Sequence, residues 1–260
     1  MKTRNGLVET AIAAALATAA APAAAEDGLT LSTGFDYSRG KYGGRILTET
    51  TYIPFTAKYE SGPWLLKLTV SWLRITGPGN VVGGGGEGIV LPGGNARRGS
   101  ASGQGDVVAG IGHTLIESAD NGFVLDVVGK IKFGTADANR GLGTGKKDYA
   151  LQADAAKSVG RFSALGTLGY KKMGDPAGLD LRNVWYGSAG AAWKFSPTTS
   201  AGAMLDFKQP SVAGGNRQRE LTFYAAYRLG ATLRLQGYLV KGLADGSPDL
   251  GIGANLSALF

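Results

Sequence analysis

Twelve stretches of this chain alternate apolar and polar side chains, and the links that join them are by turns short and long. A period of two puts successive side chains on opposite faces of a strand. The stretches are Leu29–Tyr37, Leu47–Tyr59, Trp64–Ile75, Asp106–Ile116, Phe123–Phe133 and Asp148–Lys157, then Phe162–Lys171, Val184–Phe195, Ser200–Lys208, Glu220–Arg228, Ala231–Val240 and Asp249–Phe260. Most run to about ten residues, the length a tilted strand needs to cross a bilayer. The short links are Glu60–Pro63, Ser118–Gly122, Ser158–Arg161, Ser196–Thr199 and Leu229–Gly230. The long ones are Ser38–Gly44, Thr76–Gly105, Gly134–Lys147, Lys172–Asn183, Gln209–Arg219 and Gly242–Pro248. Tight turns at one end and longer loops at the other are what a transmembrane barrel requires. The pattern predicts an all-β fold, a transmembrane antiparallel up-and-down β-barrel of about 12 strands with both chain ends on the periplasmic side.

The first segment has a different character. MKTRNGLVETAIAAALATAAAPAAA carries Lys2 and Arg4, an alanine-rich stretch, and the small-residue exit Ala23–Ala25. It reads as a signal peptide over residues 1–25, which leaves 26–260 as the barrel domain. No run after it is apolar for long enough to form a spanning helix. The absence of cysteine suits an exported envelope protein. The net charge of +7 is scattered rather than gathered into a stripe, so no nucleic-acid partner is expected. Forty-three glycines accompany an undepleted share of aromatic residues, which points to strands and close backbone packing rather than disorder. The expected location is the bacterial outer membrane.

Facing gives the alternation its chemical content. Trp64, Leu66, Leu68, Val70 and Trp72 share one face of a strand whose other face carries Lys67, Thr69 and Ser71. Trp185 with Trp193 and Phe162 with Tyr170 repeat the eight-residue aromatic spacing, as two interfacial girdles would; Phe260 joins them as a membrane-interface aromatic. A soluble barrel would turn these rings inward, and alternation alone does not separate the two arrangements. The leader, the links and the paired rings favour the membrane. The lumen is then lined by Lys67, Asp126, Lys130, Lys132, Asp154, Lys171, Asp206, Lys208, Arg228 and Arg234, with Asp36 and Asp106 also inward. The cations would attract anionic groups, while Asp126, Asp154 and Asp206 would pair with them and narrow the bore. Gly110, Gly112, Gly169, Gly190, Gly202, Gly251 and Gly253 would leave room for a narrow polar pore. A barrel filled by an ion-pair lattice is the alternative.

The final stretch, LGIGANLSALF, keeps its alternation to Phe260. A closed barrel must pair its last strand with its first, because an open edge in lipid leaves backbone groups unsatisfied. This terminal strand also resembles the signal read by the bacterial barrel-assembly machinery, which the resemblance implies as a partner beside the lipid bilayer and a small-molecule solute.

Three features suggest chemistry and are weaker than they look. GLGTGKK, Gly141–Lys147, partly matches a phosphate-cradling loop but has Arg140 and Lys147 where that motif needs Gly and Ser or Thr. It reads as a flexible external loop. The tract GGGGEG, Gly83–Gly88, lies in the longest loop, Thr76–Gly105, which either folds into the lumen as a constriction or stays mobile outside. His113 is the sole histidine and shares a face with Ala109, Ile111 and Leu115. That position suits an interfacial ring, or the general base of a lipid-modifying enzyme. With one histidine and no cysteine, no metal site and no cofactor are expected.

Several stretches together resemble one family. TYIPFTAKYESGPW, LTVSWLRITGPGNVVGGG, GQGDVVAGIGHTL, FGTADANRGLGTGKKDYALQADAAKSVG and GTLGYK are similar to the MetA-pathway phenol-degradation family of transporter-like outer-membrane barrels. Relatives tend to have Pro-Tyr where this chain has Ser71 and Trp72, and Pro where it has Phe133. The resemblance implies a channel for diffusion or uptake of small solutes, aromatic or anionic compounds among them. It brings no catalytic residues, and no enzyme activity is expected. The alternatives are the His113 enzyme and a plugged structural or adhesive barrel.

Overall fold

The computed structural model describes residues 4–5, 24–25, 27–79, 81–83, 88–90, 99–176 and 178–260. Most of the expected leader lies outside them. Twelve antiparallel staves form the wall. They are β1 (Gly28–Gly40), β2 (Thr48–Ser61), β3 (Trp64–Gly77), β4 (Gly99–Gln104 continued by Val107–Ser118), β5 (Phe123–Phe133) and β6 (Asp148–Val159). The others are β7 (Phe162–Lys172), β8 (Val184–Lys194), β9 (Thr199–Lys208), β10 (Gln218–Arg228), β11 (Leu233–Gly242) and β12 (Leu250–Leu259).

Each stave pairs with its sequence neighbours, and β12 returns to β1 in register from Leu250↔Arg39 to Leu259↔Thr30. Phe260 adds the last rung: its N–H donates to Leu29 O at 2.8 Å, and Leu29 N–H donates to Phe260 O at 3.1 Å. The wall has no open edge for lipid to meet, as a membrane-spanning sheet requires.

The sequence pattern placed eleven stretches to within a few residues. The largest correction concerns Thr76–Gly105. β3 runs on to Gly77, and Gly99–Gln104 pairs with Trp72–Gly77, so both ends of the supposed loop are strand. GSASGQ carries no apolar alternation because this part of the wall rises past the level where one face meets lipid. Within the loop, Val81–Gly83 pairs with Gly88–Val90. Residues 84–87, most of the glycine tract, lie outside the described ones.

Large apolar side chains point outward along every stave. Trp64, Leu66, Leu68 and Ile252 are each about half exposed, as are Trp185, Trp193 and Leu151. Without lipid against it, an apolar surface of this extent would not be stable in water.

The inward face departs from expectation at the glycines. A methyl at Gly169 would lie 2.4 Å from Tyr186 Cζ, one at Gly202 would lie 2.5 Å from the Tyr224 hydroxyl, and one at Gly253 would lie 2.3 Å from Tyr238 Cζ. In each pair the two residues face each other across adjacent staves. The phenol lies flat over its neighbour's bare backbone. These glycines therefore seat tyrosines instead of widening the bore, and Gly190 similarly seats Met204. Buried Leu165, Ala192, Met204 and Tyr224 form an apolar cluster inside the wall, so the lumen is also less polar than the alternation suggests.

Candidate functional site

The charged lumen residues fall into separate groups along the barrel. Midway up β5–β8, Lys130 Nζ donates to Gln152 Oε1 at 2.7 Å, and Tyr186 OH donates to the same oxygen at 2.9 Å. Gln152 Nε2 donates to Asp154 Oδ2 and Thr167 Oγ1 to Asp154 Oδ1, each at 2.6 Å. Both carboxylate oxygens of Asp154 thus receive a hydrogen bond, which is what a carboxylate buried in the wall needs. Lys67 on β3 lies within electrostatic range of both Lys130 and Asp154. The Lys171 ammonium sits 5.8 Å from the centre of the Tyr186 ring, a cation–π distance.

The second group stands at the extracellular end. Lys132 Nζ lies 3.1 Å from Asp106 Oδ2 and 3.2 Å from Asp148 Oδ2, and it donates to Thr144 Oγ1 at 3.1 Å. All three charges are buried. Asp106 Oδ1 accepts from Ala136 N–H and Asp148 Oδ1 from Gly174 N–H. Ala136 and Thr144 belong to the β5–β6 loop and Gly174 to the β7–β8 loop, so one ion triad holds two loops inward.

Two apolar contacts complete the closure. Leu142, at the tip of the β5–β6 loop, is 1% exposed and packs against Tyr52 of β2 and Leu73 and Ile75 of β3. Ile89, from the β3–β4 loop, is 2% exposed and packs against Met173, Leu181, Val184 and Val212 on the opposite side of the mouth. The loops also bond to each other, Gly83 N–H donating to Gly141 O at 3.1 Å. The expectation of a flexible external loop at Gly141–Lys147 is therefore corrected, because Leu142, Gly143 and Thr144 are buried. Of the two placements open for the β3–β4 loop, its described residues take the inward one.

A third group gathers on β1, β9, β10 and β11. Tyr238 OH donates to Asp36 Oδ2, Asp206 is hydrogen-bonded to Thr222, and Glu220 lies near Asp206, Lys208 and Asp36. At the periplasmic end Arg228 and Arg234 face each other across β10 and β11, Arg228 being exposed and Arg234 half-buried. Asp126, half-buried, stands opposite Asp154 in the β5–β6 register.

The structure thus turns every lumen residue named from the sequence away from the lipid face but does not bring them into one ring. Lys132 is tied to the loops. Ile89 and Leu142 were missed, because a lone apolar residue in a glycine-rich loop has no periodic signal. The aromatics named from the sequence point outward: Trp72, Phe162 and Tyr170 are exposed, and Phe260 is 73% exposed. His113 meets Trp64 edge to face with ring centres 4.5 Å apart. Its cross-strand neighbours are Trp64 and Val127, and its Nδ1 has no hydrogen-bond partner among the described residues. Among the described residues no serine is hydrogen-bonded to it as a nucleophile would be. Among the described residues no group of potential metal ligands gathers.

No family model matches the chain, and no curated protein matches it in sequence. Solved structures do. The chain is similar to the COG4313 outer membrane channel of Pseudomonas putida F1, with a TM-score of 0.68 at 15% identity, over 91% of this chain and 97% of that one. It also resembles the KdgM porin, with a TM-score of 0.53 at 8% identity, over 89% of this chain and 99% of that one. The beta domain of the Bordetella autotransporter BrkA gives a TM-score of 0.53 at 14% identity, over 90% of this chain and all of that one. The shared property is a closed antiparallel outer-membrane barrel. Since a channel, a porin and an autotransporter domain share it, the fold by itself does not fix what passes through.

Proposed function

We propose that this protein is an outer-membrane channel that passes small solutes along a polar lumen, with an extracellular mouth closed by its own loops until they move. The single observation that carries this reading is the two-faced wall. An apolar belt surrounds the barrel, and inside it stand charges and hydroxyls that a purely structural barrel could replace with packed apolar residues at less desolvation cost. Segment 1–25 is the export signal in this reading, and the C-terminal strand ending at Phe260 is the element that the barrel-assembly machinery receives.

The chemistry of the lumen supports anionic and aromatic compounds as solutes. Lys67, Lys130 and Lys171 carry positive charge along β3, β5 and β7, and half-buried Tyr238 on β11 adds an aromatic ring. The resemblance to the phenol-degradation family points to the same class. The KdgM porin has been solved in complex with oligogalacturonate, an anionic sugar chain, on the same barrel fold. Asp126, Asp154, Asp206, Lys208, Arg228 and Arg234 are the further lining residues of this proposal.

Purified protein in planar bilayers tests it. Rare, brief openings should become frequent when Val81–Gly99 is deleted, and charge reversal at Lys130 should shift the anion-to-cation permeability ratio. A deletion variant that remains silent, though folded, would count decisively against a channel.

A further inference from the structure

The upper rim of the outer wall is not the same all the way round. On β3, β7 and β8 the outward residue eight positions from the periplasmic ring is itself aromatic: Trp72 with Trp64, Tyr170 with Phe162, Trp185 with Trp193. On β10 the residue eight positions from outward Tyr227 is Arg219, and on β11 the residue eight positions from outward Leu233 is Lys241. Eight residues on a strand tilted by about 40° climb roughly 20 Å, close to the height of the apolar band of such barrels. Two cations therefore occupy the height at which the other side of the barrel carries its interfacial rings.

The surroundings of these cations are shaped as a site. Arg219 pairs with Phe207 of β9, and its carbonyl accepts from Leu243 N–H. The phenyl ring and the leucine, both exposed, flank it on the outward face. A cavity of about 750 Å³ opens here between the β9–β10 and β11–β12 loops, lined by Phe207, Arg217, Arg219, Leu243 and Asp245 and, on its wall side, by buried Lys208 and Gln218. Arg217 continues the positive charge above Arg219, and Lys241 is steadied by donating its Nζ hydrogen to Asp249 O at 3.2 Å. One carboxylate, that of Asp245, shares the cavity with the two guanidiniums. Phe207 and Leu243 stand level with Arg219, and the next outward residues toward the membrane below Arg219 and Lys241 include Phe223 and Leu239, both about half exposed.

That order matches an anionic lipid: acyl chains against Phe223 and Leu239, a headgroup phosphate against the guanidiniums flanked by Phe207 and Leu243. Arginine binds phosphate through two parallel N–H donors, and each cation near a charged membrane surface adds about fivefold to binding. We propose that this outward pocket on β9–β11 binds the phosphorylated headgroup of an outer-leaflet glycolipid, lipopolysaccharide, with Arg217, Arg219 and Lys241 on the phosphate. The inference rests on the outer-membrane placement proposed above and is independent of whether the lumen conducts.

Titration of the purified, detergent-solubilised barrel with fluorescent bisphosphorylated lipid A tests it. Wild-type protein should bind it at least tenfold more tightly than the dephosphorylated lipid, a comparison that needs no variant. Arg219→Gln combined with Lys241→Gln should remove most of that preference, and Arg217→Gln alone should weaken it, in proteins that keep the heat-resistant migration of a folded barrel. Millimolar inorganic phosphate should leave lipid binding intact. Equal binding of both lipids, or undiminished binding by the double variant, would overturn the proposal. Complete displacement by inorganic phosphate would overturn it too, making the pocket a site for the free anion. Failure of the membrane placement is read separately, by fractionation of cells, and failure of the channel by conductance.

Discussion

The two ends of this barrel are built on opposite terms. At the periplasmic end the staves are joined by bare turns such as Gly160–Arg161 and Gly62–Pro63. At the extracellular end three loops lean over the opening, held by the Lys132 triad, by Leu142 and by Ile89. The turns close strands; the loops close a hole. A turn needs only a permissive backbone, whereas a loop folded into a lumen must satisfy its buried polar groups and fill space. Among the described residues, the contacts that close the mouth therefore all lie at the extracellular end.

The strongest way to break this contrast is Lys132→Met. It leaves Asp106 and Asp148 buried without their cation, at a cost of about 3–5 kcal/mol, and it frees two loops at once. Thermal unfolding in detergent should fall steeply, and bilayer recordings should show frequent openings. Ile89→Ala comes next. The lost packing amounts to about 2–4 kcal/mol for a buried isoleucine, confined to the mouth, so amide exchange at Val81 and Val82 should rise while the staves keep their protection. Gly169→Val acts within the wall: it forces Tyr186 from its seat and should cost about 1–3 kcal/mol, measured as a lower unfolding temperature, and it loosens the Gln152 network. The smallest effect belongs to the periplasmic end. Gly160 has φ +60° with open space around it, so Gly160→Ala should cost about 1–2 kcal/mol and leave conductance unchanged.

The wall was legible because lipid on one side and a lumen on the other impose a period of two. β5 spans Phe123–Phe133, the bounds that this period predicts, although Val124 and Val128 are buried on its inward face. The facing of Trp64 and Lys67 follows from the same period. Legibility faded where that constraint is absent. Gly99–Gln104 pairs above the apolar belt, so its strand character left no alternation. The seating of Tyr186 over Gly169 is a cross-strand event that depends on register, and one strand's sequence does not specify its partner's offset. The triad of Asp106, Lys132 and Asp148 joins three staves, and although Asp106 and Lys132 were read as inward, nothing in the sequence shows that they meet.

The account depends on Lys67 facing a wet interior while its neighbour Leu68 faces acyl chains. The natural absence of cysteine makes a direct test clean. Lys67→Cys and Leu68→Cys proteins, each reconstituted in lipid vesicles, are exposed to a charged, membrane-impermeant maleimide from both sides. The account predicts rapid labelling at position 67 and almost none at position 68. Equal rates at the two positions, or faster labelling at 68, would contradict it.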